Sequence, residues 1–232
     1  MEKLPIRRSG QAAKINNNLY LLEQSVWQNN FMMYGVDEVG RGCIAGPVVV
    51  VAAMLHKNQQ HPLLIDSKKL SRSELELMYD WLQTRSIFSV SIGSPRMIDK
   101  HNIYQATAQH MRQALLHLFA IAPAPKLIAI DAMPLRLGNT PYADIKIESM
   151  IQGESKSASI AAASILAKVT RDRIMMRMEQ SFPGYGLAAH KGYCTKLHQT
   201  TVQQLRPTVI HRRSFLSWLN KDQTNEQQTI FC

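Results

Sequence analysis

Five short segments of the chain have the apolar patterns of β-strands, at residues 32–37, 47–55, 88–92, 126–131 and 145–147. The first two are rich in β-forming residues and flank a glycine-rich turn, which is typical of two consecutive strands. In the third and fifth segments apolar residues alternate with polar ones. The fourth is a continuous apolar run, which is the pattern of a buried strand.

Three longer segments have the spacing of helices, at about residues 71–83, 99–120 and 157–180. The first opens on Ser71 and Glu74, whose three-residue spacing is that of a capping box. Small apolar residues recur along the third at intervals of three and four, so its backbone can lie close to a sheet. Strands that alternate with helices predict an α/β domain built on a mixed sheet.

The two ends of the chain are more polar than its middle. Residues 1–32 are predicted to be a poorly ordered or loosely docked N-terminal extension, and residues 220–232 a frayed tail. The domain itself is predicted over residues 33–219, and its last part is expected to be helical. Hydrophobic residues make up 45% of the chain, which is enough to build a core.

Basic residues outnumber acidic ones by 27 to 17, and the excess is uneven. Between Lys168 and Arg213 the sequence has nine Lys or Arg residues and two acidic ones. Such a region suits a polyanion, because neutralised phosphates release their counterions. A solvated basic face explains the same charge equally well.

Several other classes of protein are disfavoured. The cysteines Cys43, Cys194 and Cys232 form no Cys-x-x-Cys pair, and the eight histidines lack metal-ligand spacing, so neither a disulfide framework nor a zinc site is indicated. The first residues lack the apolar stretch of a signal peptide, and the longest apolar run, residues 43–55, is too short to span a bilayer. We expect a cytoplasmic protein with no membrane partner.

Four acidic residues stand where strands or loops deliver them to a sheet edge. Asp37 and Glu38 end the first strand, Asp131 ends the buried one, and Glu154 lies in the loop before the third helix. Ligands gather beyond the carboxyl ends of strands in α/β sheets, and hard divalent cations prefer oxygen ligands. Taken singly, each acid is more often a turn or cap residue.

The residues around Asp37 and Glu38 have a recognisable pattern. Residues 35–42 are Gly-Val-Asp-Glu-Val-Gly-Arg-Gly, followed by Ala45-Gly46-Pro47. This resembles the signature of type 2 ribonucleases H, the ribonuclease HII family. The resemblance continues in order through residues 66–71, 98–103, 130–131, 159–172, 190–193 and 211–215.

The resemblance implies a ribonuclease H-like fold, a five-stranded mixed sheet flanked by helices, with a C-terminal helical extension. It implies that Asp37, Glu38 and Asp131 bind catalytic Mg²⁺ or Mn²⁺. The family's fourth acid falls on Glu154, although the usual Lys-Gly-Asp is Gln-Gly-Glu here. Asp172 is the alternative fourth acid, but its helical position between two arginines suits an ion pair better.

The resemblance also implies an endonuclease that hydrolyses the RNA strand of RNA/DNA hybrids and cuts at ribonucleotides embedded in duplex DNA. A two-metal mechanism would leave 5′-phosphate and 3′-hydroxyl ends. The Gly40-Arg41-Gly42 turn is expected to contact the 2′-hydroxyl and Tyr193 to pack on the following deoxyribose, with Lys191 as a cation for phosphate. The sequence differs from the family pattern at two positions beside these loops, where Cys43 and Cys194 replace the usual prolines.

Further phosphate ligands are expected at Ser67, Lys68 and Asn102, although a solvated loop and a helix cap explain them as well. Two other functions remain open. One is a different ribonuclease H-like nuclease, such as a resolvase, and the other is a non-catalytic nucleic-acid binder. We expect a monomer.

Overall fold

The computed structural model describes residues 14–219. Its strands are β1 (Met33–Val39), β2 (Val48–Leu55), β3 (Ser86–Gly93), β4 (Leu127–Asp131) and β5 (Lys146–Met150). Its α-helices are α1 (Leu21–Trp27), α2 (Arg72–Arg85), α3 (Pro95–Ile121), α4 (Ala158–Ser181), α5 (Leu187–His190) and α6 (Lys196–Leu205). Short 3₁₀ helices cover Asn17–Tyr20, Ser67–Lys69, Gly153–Ser155 and Arg213–Phe215.

The five strands form one mixed sheet in the order β3-β2-β1-β4-β5. Strand β1 is antiparallel to β2 and parallel to β4, and β4 is parallel to β5. The predicted five-stranded mixed sheet is therefore confirmed. The register places Val36 beside Ile130, so the next positions along both strands are Asp37 and Asp131.

Alternate residues of the central strands point to opposite faces of the sheet, as the twofold period of a strand requires. On one face Val36 and Ile130 pack with Met111 and Leu115 of α3. On the other face Met33 of β1 belongs to a cluster with residues of α1 and α4. All eight residues of β2 are buried, which explains why its sequence is apolar without alternation.

Helix α4 lies against the sheet at Gly35. A Cβ atom built on Gly35 would be 2.1 Å from the carbonyl carbon of Ser159, so only glycine permits this approach. The small residues along α4 serve the same purpose, as its sequence predicted. Helix α2 begins at the predicted capping box of Ser71 and Glu74.

Helix α3 differs from its predicted form. It begins at Pro95, four residues early, and Asn102 interrupts it with φ 61° and ψ 163°. The Asn102 side-chain oxygen accepts a hydrogen bond from the Gln105 N–H at 3.0 Å, so this residue caps the second part of the helix.

The expectation of a loosely docked extension is wrong for the part of it that the structure describes. Tyr20 and Glu23 are fully buried, and Trp27 is nearly so. The Glu23 carboxylate accepts hydrogen bonds from the Ser157 hydroxyl (2.6 Å) and the Ser159 N–H (2.8 Å) at the start of α4. Residues 1–13 and the predicted tail, 220–232, lie outside the described residues.

The described residues group into two compact units. Unit 1 contains residues 14–39, 49–91 and 108–170, including most of the sheet. Unit 2 contains residues 40–48, 92–107 and 171–219. Its core is formed mainly by residues of the C-terminal helical part, which was predicted, together with Ile44 and Ala45. The predicted boundaries at residues 32 and 219 stay predictions.

Candidate active site

Two parallel strands of unit 1 bring acidic residues to one edge of the sheet. Asp131 is the last residue of β4, and Asp37 lies beside it on β1, which continues for two more residues as far as Val39. Because the carboxyl ends of parallel strands meet at one edge, the order of the strands places these acids together. Glu38 follows Asp37 directly.

Asp37 is buried, with 6% of its surface exposed. Burial raises its pKa well above the usual range, and the charges of Glu38 and Asp131 raise it further. A hydrogen bond from Ser164 and another from the Glu38 N–H at 2.8 Å act in the opposite direction. The repulsion among these carboxylates is what a bound divalent cation would relieve.

Glu154 joins the same cluster through Ser164 of α4. The Ser164 hydroxyl donates to Glu154 Oε2 at 3.2 Å, contacts Ser67 Oγ at 3.0 Å and is also hydrogen-bonded to Asp37. Sequence reasoning missed Ser164, although a hydroxyl on the alanine-rich face of α4 was a usable signal. Glu154 itself is buried, which is unusual for an acid that serves only as a turn residue.

Lys68 is exposed, and its ammonium group contacts the buried Glu154. Its Nζ donates to Glu154 Oε1 at 2.6 Å, and this contact raises the pKa of Lys68. The family's lysine before this acid is missing from the chain, so Lys68 supplies a cation to Glu154 from another loop. Ser67 is buried in the same cluster.

The loop that carries Glu154 is tied to β4. The Gly153 N–H donates to Asp131 Oδ1 at 2.7 Å, and a Cβ on Gly153 would meet Ile160 at 2.6 Å. As placed, the side chains do not converge on one point, and no group of three His, Cys, Asp or Glu residues within 14–219 could hold a metal ion. The oxygen donors of Asp37, Glu38 and Asp131 and the repulsion at Asp37 are nevertheless of the kind that a hard divalent cation prefers and would relieve.

The Gly40-Arg41-Gly42 turn belongs to unit 2. Gly40 has φ +90°, and a Cβ there would be 2.2 Å from Arg171 Nε, so glycine is required on both counts. The carbonyl groups of Gly40 and Arg41 accept hydrogen bonds from Arg212 at 2.6 and 2.8 Å.

Tyr193 also lies in unit 2, where it forms a β-bridge with Cys43. The residue is 42% exposed, and the Arg171 guanidinium lies 5.8 Å from the ring centroid. Gly192 approaches the Ala45 carbonyl too closely for any side chain. Lys191 has φ 52°, and its Nζ donates to the Ala188 carbonyl.

Other candidate ligands have different surroundings. The Asn102 oxygen is used in capping α3, which favours the cap over the phosphate ligand. Asp172 is half-buried on α4, whereas the carboxylate that Ser164 links to Asp37 is that of Glu154. Of the nine basic residues counted in the C-terminal region, Arg171 and Arg212 are fully buried, so these two add nothing to a basic surface.

A mixed five-stranded sheet with carboxylates at the ends of its two central parallel strands is the arrangement of ribonuclease H-like nucleases. The sequence profile described as Ribonuclease HII matches residues 34–218. Ribonuclease HII of Levilactobacillus brevis is 42% identical over 195 residues, which covers 83% of this chain and 72% of that protein. The chain belongs to the ribonuclease HII family.

Solved structures agree on the fold. The crystal structure of ribonuclease H2 from Pyrococcus horikoshii OT3 superposes with a TM-score of 0.66 at 23% identity, covering 82% of this chain and 98% of that one. Bst-RNase HIII in complex with Mn²⁺ superposes with a TM-score of 0.61 at 22% identity, covering 75% and 61%. The predicted ribonuclease H-like fold is thereby confirmed.

Family membership makes the protein an endoribonuclease of the ribonuclease H type that acts on nucleic acid. The ribonuclease H family depends on divalent metal ions. Within residues 14–219, no helix is long and apolar enough to cross a membrane.

Proposed function

We propose that this protein hydrolyses the RNA strand of RNA/DNA hybrids and cuts DNA duplexes at embedded ribonucleotides, leaving 5′-phosphate and 3′-hydroxyl ends. The observation that supports this most directly is the carboxylate cluster of unit 1, in which Ser164 joins Glu154 to Asp37 and Asp131 lies on the adjacent strand. A non-catalytic nucleic-acid binder would gain nothing from a buried acid whose pKa its neighbours raise.

Asp37, Glu38 and Asp131 are proposed to hold the divalent ions, Mg²⁺ or Mn²⁺. When bound, such ions lower the pKa of the attacking water and stabilise charge on the departing 3′ oxygen. Glu154 is proposed as the fourth catalytic acid, held in place by Lys68 and Ser164. The Mn²⁺ complex of Bst-RNase HIII supports manganese as one usable ion.

The unit 2 residues are proposed to read the substrate. The backbone of the Gly40-Arg41-Gly42 turn would contact the ribose 2′-hydroxyl, which distinguishes RNA from DNA. The half-exposed ring of Tyr193 would pack on the next deoxyribose, and Lys191 would exchange its backbone partner for a phosphate. Lys68, whose side chain is exposed, is proposed to contact a phosphate as well as Glu154, and Ser67 to contact a phosphate from its place beside Ser164.

The decisive experiment offers two substrates, a DNA duplex with one ribonucleotide and a continuous RNA/DNA hybrid, with Mg²⁺ and Mn²⁺ in turn. The wild-type protein should cut both and lose activity in EDTA. Asp37→Asn should lower cleavage by about three orders of magnitude, equivalent to ~4 kcal/mol, because an anionic metal ligand is lost. It should not lower the melting temperature in EDTA, since like-charge repulsion is also removed.

Asp80→Asn, at an exposed acid of α2, is the matched control and should leave cleavage unchanged. Cleavage that persists in EDTA, or Asp37→Asn that binds less substrate but cuts each bound duplex at the normal rate, would reject the metal assignment. The compartment and the monomeric state stay predictions.

A further inference from the structure

The two largest fully buried side chains of the described residues are both arginines, Arg171 and Arg212. Burying a guanidinium is costly unless its N–H groups are hydrogen-bonded. Burial lowers the pKa of Arg212 to about 10, and the charge of Arg171 contributes to this. At neutral pH Arg212 is still charged, so the fold maintains two neighbouring cations in the interior of unit 2.

Both guanidinium groups bind backbone carbonyls. Arg212 makes four hydrogen bonds of 2.6 to 3.0 Å, to the carbonyls of Gly40, Arg41 and Gly46. Arg171 makes three, to the carbonyls of Pro47 (2.9 Å), Lys191 (2.8 Å) and Ala45 (3.2 Å). One side chain therefore holds both ends of the segment 40–46, and the other holds that segment to the loop before Tyr193.

The hydrogen bonds of Arg212 also have an electronic consequence. The Gly40 carbonyl shares its peptide group with the N–H of Arg41, and the Arg41 carbonyl shares its own with the N–H of Gly42. A charge-assisted hydrogen bond to a carbonyl polarises the whole peptide group and strengthens its N–H as a donor. The cation thus fixes the turn and makes its N–H groups better donors to a hydroxyl oxygen.

We propose that Arg212, supported by Arg171, is a positioning residue that gives the Gly40-Arg41-Gly42 turn its ability to discriminate ribose from deoxyribose. This rests on the proposed function, in which that turn reads the 2′-hydroxyl. A lysine cannot replace Arg212, because one ammonium group cannot reach three carbonyls with the geometry of the planar fork.

The test uses the full chain carrying Asp131→Asn, so that duplexes are bound and not cut. The dissociation constant is measured for a duplex with one ribonucleotide and for the all-DNA duplex of the same sequence, in Mg²⁺. Adding Arg212→Lys should reduce the preference for the ribonucleotide about tenfold, the equivalent of one or two lost hydrogen bonds, with affinity for all-DNA duplex within about twofold. The matched control, Arg213→Lys at the exposed neighbour, should keep the preference.

Partial recovery of the preference in Arg212→Ala on addition of methylguanidinium would support the role further. An unchanged preference in Arg212→Lys, or an equal loss of affinity for both duplexes, would overturn it. If Arg212→Lys does not fold, the same two dissociation constants are measured for Arg171→Lys, and a reduced or unchanged preference for the ribonucleotide is interpreted in the same way. If the protein carrying Asp131→Asn alone shows no preference for the ribonucleotide duplex, the proposed function of the turn in reading ribose is rejected. This outcome differs from a failure of the Arg212 proposal, in which that preference is present and Arg212→Lys leaves it unchanged.

Discussion

His198 and His211 meet through their Nε2 atoms, which lie 3.3 Å apart in the interior of unit 2. His211 Nδ1 accepts from the Thr208 N–H at 3.1 Å, so its proton is on Nε2 and is donated to His198. His198 Nδ1 then carries the proton that it donates to the Tyr193 carbonyl at 2.9 Å. Each ring must be neutral for this chain of hydrogen bonds to exist.

The first prediction follows from that requirement. Burial lowers the pKa of both rings from 6.5 to about 4, and the charge of His198 lowers the pKa of His211 further. The unfolded chain takes up these protons near pH 6.5, whereas the folded protein does not until about pH 4. The free energy of unfolding should therefore fall as the pH is lowered through this window, by on the order of 3 kcal/mol for each ring. Thermal melts at a series of pH values measure it.

His211→Asn removes one of the two titrating rings and keeps an acceptor for the Thr208 N–H. Its melting temperature should depend less steeply on pH between 6.5 and 4 than that of the wild type. His117→Asn, at an exposed position of α3, is the control. Equal slopes in all three proteins would show that the buried pair does not govern acid stability.

The second prediction concerns Glu154, whose two carboxylate oxygens have different partners, Lys68 and Ser164. Glu154→Gln should lower turnover markedly, because it removes the negative charge and turns one acceptor into a donor. Glu154→Asp should be tolerated, since it keeps the charge at the cost of one methylene. Single-turnover cleavage at an embedded ribonucleotide measures both. Wild-type rates in Glu154→Gln combined with a large loss in Asp172→Asn would transfer the role to Asp172.

The third prediction concerns Glu23, which is fully buried at the start of α4. Burial raises its pKa above 4.5, and the hydrogen bonds from Ser157 and Ser159 only partly oppose this. The folded state therefore holds the proton more tightly than the unfolded chain. Its contribution to stability is complete below about pH 4.5 and is lost as the pH rises through the folded-state pKa.

Glu23→Gln keeps the acceptor oxygen and removes the charge, so it should melt at or above the wild-type temperature at pH 8. Glu23→Ala should cost about 2 kcal/mol below pH 4.5, because it leaves the Ser159 N–H and the Ser157 hydroxyl without this acceptor, and the cost should shrink as the pH rises. Asp144→Asn, at an exposed acid, serves as the control. A Glu23→Gln protein that melts well below the wild type at pH 8 would contradict the destabilising effect of the buried Glu23 charge.

The elements that sequence periodicity predicted are those whose pattern has a local cause. Strand β2 is apolar because both of its faces are covered, and the start of α2 depends on Ser71 and Glu74, three residues apart. The acids of the candidate site were predictable for a related reason, since a strand's carboxyl end is a local position. Asp37 and Asp131 lie close together because their strands, β1 and β4, are parallel neighbours in the sheet.

What the sequence did not predict depends on contacts between distant residues. Glu23 contacts the start of α4 from 134 residues away, so the described part of the polar N-terminal segment, residues 14–32, is docked although its sequence looked irregular. The burial of Arg171 and Arg212 could not be predicted by counting charges. Their partners are backbone carbonyls, which are uncharged and are present at every residue whatever the sequence. The break in α3 at Asn102 also has no signature beyond the residue type, which tolerates positive φ.

The last prediction tests whether Tyr193 reads the junction between ribonucleotide and DNA. Its backbone carbonyl accepts a hydrogen bond from His198, whereas the residue as a whole is 42% exposed, so removing the ring should leave the loop in place. Tyr193→Ala should depress cleavage at a single embedded ribonucleotide far more than it lowers the melting temperature. Stacking of a base on an aromatic ring is worth roughly 1–3 kcal/mol, and a misplaced phosphate adds a rate loss to the weaker stacking of a sugar. Tyr193→Phe keeps the ring and should be milder, and Tyr104→Ala, at another exposed tyrosine, should have little effect.

Cleavage of the single-ribonucleotide duplex and of the continuous hybrid is compared with melting for each variant. Equal losses on both substrates that follow the loss of stability would make Tyr193 a packing residue and refute junction reading.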